Sequence, residues 1–317
     1  MFKIKSEMLR DSSKSLASHS LLSQIISFLV VFFVVILLES IIPSFISLPM
    51  VTDEFIKQGL VGADGKVSYS DSYRIALGVS ASPNVMIPTL LCTVFGTLTS
   101  LVYCRWIEIR KLSSMGVRKG TFGSYFLGLL VGTVLMSAIV LLSIVCGVNS
   151  IKTAENTNYR IVLLFALGWI VQGMSEEFVF RGYLMTTIGG QHSPWLAVGI
   201  SAMAFALAHA GNPGFNVLSC TNLVLFGVFA GVYMICSDNI WGVCGIHSVW
   251  NFLQGNFYGI SVSGTGGVES VFVTSSKNSH AFLSGGNFGI EGSIFTTAVL
   301  LAGIGIVLLR MKKKYKD

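Results

Sequence analysis

Apolar runs long enough to cross a bilayer recur along this chain, and they leave room for little but a helical membrane bundle. A spanning helix needs about 20 mostly apolar residues, fewer where neighbours bury it. Eight such runs stand at about 22–42, 84–104, 122–146, 161–188, 195–211, 217–236, 240–257 and 293–310. The fifth and seventh are short and interrupted by polar residues. Only 11% of the 317 residues are charged and 52% are apolar, whereas a soluble domain carries about 25% charged residues. The expected fold is therefore all-α, a polytopic membrane bundle of about eight helices.

The charges set an expected orientation. Lys3, Lys5, Arg10 and Lys14 precede the first run, Arg105, Arg110, Lys111, Arg118 and Lys119 follow the second, and Arg310, Lys312, Lys313, Lys314 and Lys316 close the chain. The 43–83 stretch is acidic on balance, and 256–292 holds one Lys and two Glu. Eight spans place every basic segment on one side, so both termini are expected to be cytoplasmic in a multi-pass protein of the cell membrane. Because the net charge of +6 clusters beside apolar spans, it points to the lipid bilayer as partner and not to nucleic acid. The run at 21–38 lacks a clear cleavage site and reads as a first membrane helix. The six cysteines form no C-x-x-C pair and read as small buried hydrophobes.

The chain divides into an N-terminal tail (1–21), three helices over 22–158 with an external loop at 43–83, and a core over 159–257. A Gly/Ser-rich external linker (258–292) and a last helix with a basic tail (293–317) follow. Gly128/Gly132 and Gly227/Gly231 are small-residue pairs that let helices approach closely.

The core carries the chemistry. Within the apolar run at 161–188 stands SEEFVFR, residues Ser175–Arg181. Each charge at the bilayer centre costs ~2.5–3.5 kcal/mol unless it pairs or meets water. Glu177 and Arg181, four apart, share a helix face and are expected to pair. Glu176 points about 100° away and needs a partner on another helix. Two later runs are interrupted in the same manner, by Phe205 and His209 in FALAH and by His247 and Asn251 in HSVWN. A lone membrane histidine reads most simply as an interhelical hydrogen bond. Six polar groups on three neighbouring helices exceed what packing requires, and intramembrane ionisable groups are functional by default.

EEFVFR, FALAH and HSVWN resemble, in order, the E-E-x-x-x-R, F-x-x-x-H and H-x-x-x-N motifs of the CAAX-protease and bacteriocin-processing (CPBP, or Abi) family of intramembrane proteases. The resemblance covers roughly 160–257; the first three spans and the last match nothing usable. It implies an intramembrane endopeptidase acting on membrane-associated peptides or proteins. Glu176 would be the general base, polarising water together with His209; His247 and Asn251 would bind the oxyanion. Glu177 and Arg181, with Phe205, would support them. No cofactor is favoured, because Asn251 suits an oxyanion and is a poor zinc ligand. Zinc on Glu176, His209 and His247, with water in the fourth position, is the alternative. The rival functions are a non-catalytic immunity or scaffold protein of the same fold and, less favoured for want of an inverted repeat, a proton-coupled carrier. No H-E-x-x-H, G-x-S-x-G or G-x-G-D motif supports another protease chemistry.

Overall fold

The computed structural model describes residues 4–16, 19–60, 68–119, 121–266, 269–276 and 280–315. Lys3, Asp64, Lys66 and Lys316 of the charge pattern lie outside the described residues. The chain is a helical bundle with one small two-stranded sheet among the described residues. Its helices are α1 (Glu7–Ser12), α2 (Leu21–Lys57), α3 (Tyr69–Ser80), α4 (Pro83–Ile107), α5 (Ser124–Val145) and α6 (Tyr159–Gln191). After them come α7 (Pro194–Ala208), α8 (Val217–Ser237), α9 (Trp241–Phe252) and α10 (Ile294–Lys314). Six of these, α2, α4, α5, α6, α8 and α10, are long and apolar enough to cross a membrane. Leu29, Phe33, Leu130, Val134, Leu163 and Leu309 stand exposed on their outer faces, as a lipid-facing surface requires. The protein is a multi-pass membrane protein.

Two expected spans are shorter than a bilayer. α7 has 15 residues and α9 has 12 before a wider π turn at Leu253–Phe257. At 1.5 Å per residue α7 rises only about 22 Å. Both pack within the bundle, where length need not match lipid.

Local chemistry sets the helix ends. The side chains of Ser20, Asn158, Asn216 and Ser293 accept backbone N–H groups at the starts of α2, α6, α8 and α10. Pro83 and Pro194 sit in the first turns of α4 and α7, where a missing N–H costs nothing. Small residues set the approaches: a Cβ on Gly132 would meet Val249 and Ile246 of α9, and one on Gly227 would meet Ala202 of α7. Both expected glycine pairs thus lie at helix contacts. Four of the six cysteines are buried, while Cys146 is exposed at the end of α5.

The stretch 43–83, expected as a loop, is mostly helical. α2 continues through Pro43 and Pro49 to Lys57, and α3 follows. The Gly/Ser-rich stretch is also more ordered than a linker. Its β2 (Phe272–Ser276) pairs antiparallel with β1 (Asn149–Thr153), Thr153 opposite Phe272 and Asn149 opposite Ser276. Residues 261–266 are tied down from several sides. Gln254 Nε2 donates to the Ser261 carbonyl, Asn212 Nδ2 donates to the Ser263 carbonyl at 2.8 Å, and Ser263 N–H donates to Glu291 at 2.8 Å.

The basic segments meet at the other end of the bundle. Arg118 bridges Glu7 at 2.7 Å and Asp238 at 3.0 Å, and Lys314 Nζ donates to the Cys236 carbonyl at 2.7 Å. Beside them Arg110 and Glu108 form a buried pair at 2.9 Å, and Arg110 donates to Ser12 and Thr186. Burial pushes the Glu108 carboxyl up, against the opposing pull of Arg110 and a hydrogen bond from Thr187.

Candidate active site

The close approach of α6 and α9 builds the site. A Cβ on Gly173 would stand 2.6 Å from the Ser248 backbone nitrogen, so only a glycine lets the two backbones come together there. That contact brings the two glutamates of α6 to His247 of α9. At each set of site residues the helix widens into a π turn, at Phe178–Met185, which includes Arg181, and at Leu253–Phe257 after Asn251. Such insertions concentrate at functional sites.

The two adjacent carboxylates have opposite surroundings. Glu177 and Arg181 have fully buried side chains, and Arg181 Nη1 donates to Glu177 Oε1 at 2.9 Å, the expected pair. His247 Nδ1 lies 2.7 Å from the same oxygen. A carboxylate only accepts, so Nδ1 is the donor and the ring turns its Nε2 toward Glu176. The Arg181 guanidinium also lies 4.5 Å from the ring centroid of Phe205, a cation–π contact. Phe205 therefore joins the first motif to the second. Phe226 closes the other side, its ring centroid 5.0 Å from that of His247.

Glu176 instead faces a cavity, with 24% of its side chain exposed. Its partner on another helix is His247, whose Nε2 stands 3.5 Å from Glu176 Oε2. Gln172 Nε2 donates to Oε1 at 2.6 Å, and Asn251 Nδ2 donates to the Gln172 carbonyl oxygen at 2.8 Å. His209 closes α7 and donates through Nδ1 to the Phe205 carbonyl at 2.9 Å, which leaves its Nε2 as an acceptor. No hydrogen bond joins it to Glu176.

The cavity measures about 1010 Å³ and is lined by Glu176, His209, His247 and Asn251 together with Gln172 and Glu39. This is the upper end of the size range of small-molecule sites. Glu177 and Arg181 do not line it. Its walls come from α2, α3, α4 and α6 to α10, and from 261–266 and 286–291. Two lining residues had no signal in the sequence reading. Gln172 is an unremarked amide one turn before Glu176. Glu39 belongs to α2, a span that matched no motif. It lines the cavity with Glu176, and its Oε1 lies 2.9 Å from where a Cβ on Gly96 would stand.

As possible metal ligands, His209 and His247 each have Nε2 available, and Glu176 has Oε2. The donor types suit zinc, but they do not converge: among the described residues, no three His, Cys, Asp or Glu side chains gather closely enough to hold a metal ion.

Residues 158–253 match the family model described as type II CAAX prenyl endopeptidase Rce1-like. This stretch is an Rce1-like domain of the CAAX-protease (CPBP) family. The Rce1-like domain contains all three motifs and runs from the cap of α6 to just past Asn251. It covers less than a third of the chain. A comparison with curated proteins finds no match. The Rce1-like domain supplies every ionisable residue that the motifs point to, while α2, α3, α4 and the 261–291 stretch supply further cavity walls.

Proposed function

We propose that the protein is an intramembrane endopeptidase that hydrolyses peptide bonds of membrane-associated peptides or proteins with a water activated by Glu176. The observation that carries this reading is the division between two neighbouring carboxylates. Glu177 is sealed in an ion pair with its side chain fully buried, while Glu176 lines a cavity with 24% of its side chain exposed. A partly exposed carboxylate in the wall of a space for substrate is what a general base needs.

In the proposed reaction the Glu176 carboxylate takes a proton from a water oriented also by His209 Nε2. The water oxygen attacks the scissile carbonyl carbon. The tetrahedral oxyanion accepts hydrogen bonds from Asn251 Nδ2 and from Nε2 of a doubly protonated His247, whose ring lies between the carboxylates of Glu176 and Glu177. Glu177 and Arg181 hold His247 in orientation. Collapse breaks the C–N bond as the proton held on Glu176 passes to the leaving amine. The family description names prenylated CAAX ends; for this chain the proposed substrate is the wider class of membrane-associated peptides. Both termini are proposed to be cytoplasmic.

Comparing membrane peptides from cells carrying the wild type and Glu176→Gln tests the assignment, with purified protein then assayed on the peptides that differ. Peptides cleaved only by the wild type are expected. Near-normal turnover by Glu176→Gln would overturn the base assignment, and identical peptide profiles would favour a non-catalytic immunity or scaffold role. The proposed reaction is metal-independent. Cleavage should survive a strong chelator, whereas one zinc per chain whose removal reversibly stops cleavage would make Glu176, His209 and His247 the ligands.

A further inference from the structure

Gln172 belongs to none of the three motifs, yet it is the only described residue hydrogen-bonded to both the proposed base and a proposed oxyanion donor. It lies half-buried on α6 one turn before Glu176 and lines the same cavity. Its amide bridges Glu176 Oε1 at 2.6 Å and Asn251 Nδ2 at 2.8 Å. The direction of both bonds follows from charge. An ionised carboxylate can only accept, so the Gln172 NH2 must face Glu176. Its carbonyl oxygen is then left for Asn251, which must answer with its own NH2.

Two consequences bear on the chemistry. Asn251 is locked with its nitrogen on the side of the catalytic glutamate, one N–H bonded to Gln172 and the second left to donate. A flipped Asn251 would present an acceptor, which repels an oxyanion. On the other helix, the bond to Oε1 fixes the orientation of the Glu176 carboxylate, with its Oε2 facing His247 Nε2 at 3.5 Å.

We propose that Gln172 is a positioning residue that fixes the orientation of the Glu176 carboxylate and holds Asn251 with its N–H toward the developing oxyanion. The inference rests on the hydrolase reading for its rate consequences but not for its geometry. Gln172→Leu keeps approximate size and removes both bonds. It should lower kcat by roughly tenfold or more with KM within about threefold, because misplacing reacting groups slows the chemical step without weakening substrate binding. In an Asn251→Ala background the same substitution should cost clearly less, since half of its role is already gone.

A second measurement needs no turnover. Carbodiimide labelling of Glu176, read by mass spectrometry on the full-length protein in detergent, should rise in Gln172→Leu as the amide donor on Oε1 is lost. Unchanged labelling with unchanged kcat would overturn the inference and leave the hydrolase reading standing. Fully additive losses in the double variant would overturn it too, as a merely structural role predicts. If the wild type cleaves no membrane peptide, the hydrolase reading fails and labelling alone decides: a rise supports the positioning role and no change refutes it.

Discussion

Replacing Glu177 by Gln should damage folding far more than replacing Glu176 by Gln, although the two are neighbours. Glu177 Oε1 takes charged hydrogen bonds from Arg181 at 2.9 Å and His247 at 2.7 Å, and its side chain is fully buried. Removing its charge leaves Arg181 a buried cation, and breaking such a pair costs ~3–5 kcal/mol. The cation–π contact with Phe205 is present before and after, so it does not soften the loss. Replacing both Glu177 and Arg181 by Leu removes the stranded charge. It still leaves His247 Nδ1 without its acceptor, at about 1–3 kcal/mol, so only part of the stability should return and none of the activity. Glu176→Gln keeps an oxygen for the Gln172 donor and sits at the cavity wall, so its stability should stay within about 1 kcal/mol of the wild type. Thermal unfolding of the four proteins of the Glu177/Arg181 cycle in detergent measures the coupling, and cleavage rate is followed alongside. A Glu177→Gln variant as stable as the wild type, or a cycle that adds without coupling, would refute the reasoning.

Gly173→Ala should push α6 from α9 at the Ser248 backbone and destabilise by roughly 1–3 kcal/mol, with a loss of cleavage larger than Ala at the open position Gly199 produces. For orientation, a membrane-impermeant thiol reagent should label Glu155→Cys in intact cells and Lys111→Cys only after permeabilisation; both positions are exposed, and the reverse pattern would invert the topology. Arg118 beside Glu7 holds that carboxyl below its ordinary value of 4.5. A depressed carboxyl contributes stability above its unfolded value and loses it as pH falls through the folded value, so hydrogen exchange in α1 should quicken below about pH 4.5. No acceleration there would show that the Arg118–Glu7 pair contributes nothing to holding α1.

The legible parts of this protein were those where a polar residue contradicted its surroundings. Glu176, Glu177, Arg181, His209, His247 and Asn251 stood out because apolar runs do not tolerate them without a reason, and helical spacing alone predicted the Glu177–Arg181 contact. Gln172 and Glu39 were missed because Gln172 carries no charge and Glu39 stands near the end of its expected span, and only the packing shows that both face the cavity. The first span was expected to end near 42, whereas the helix carries on through Pro43 and Pro49 to Lys57. The π turns depend on backbone hydrogen bonds that side-chain periodicity does not report. The β1–β2 pairing joins segments more than a hundred residues apart, with no hairpin turn to announce it. Glycine and serine in the later segment read as slack, yet Glu291, Gln254 and Asn212 hold much of it in place.

The distribution of the cavity wall has a practical meaning for anyone cutting this chain. Residues 158–253 hold the proposed reacting groups but not their enclosure. Glu39 and Thr93 arrive from α2 and α4, Ser263 and Thr265 from beyond the end of α9, and Leu300 from α10. Gly173 and Gly245 gain their close packing from backbones on different helices, Gly245 from the Tyr125 carbonyl of α5, outside the stretch. An isolated 158–253 fragment would open Glu176 to bulk solvent on several sides and leave the α5-facing surface of α9 uncovered. The boundary drawn by family likeness marks where the motif residues lie; the wall around them begins in α2 and ends in α10.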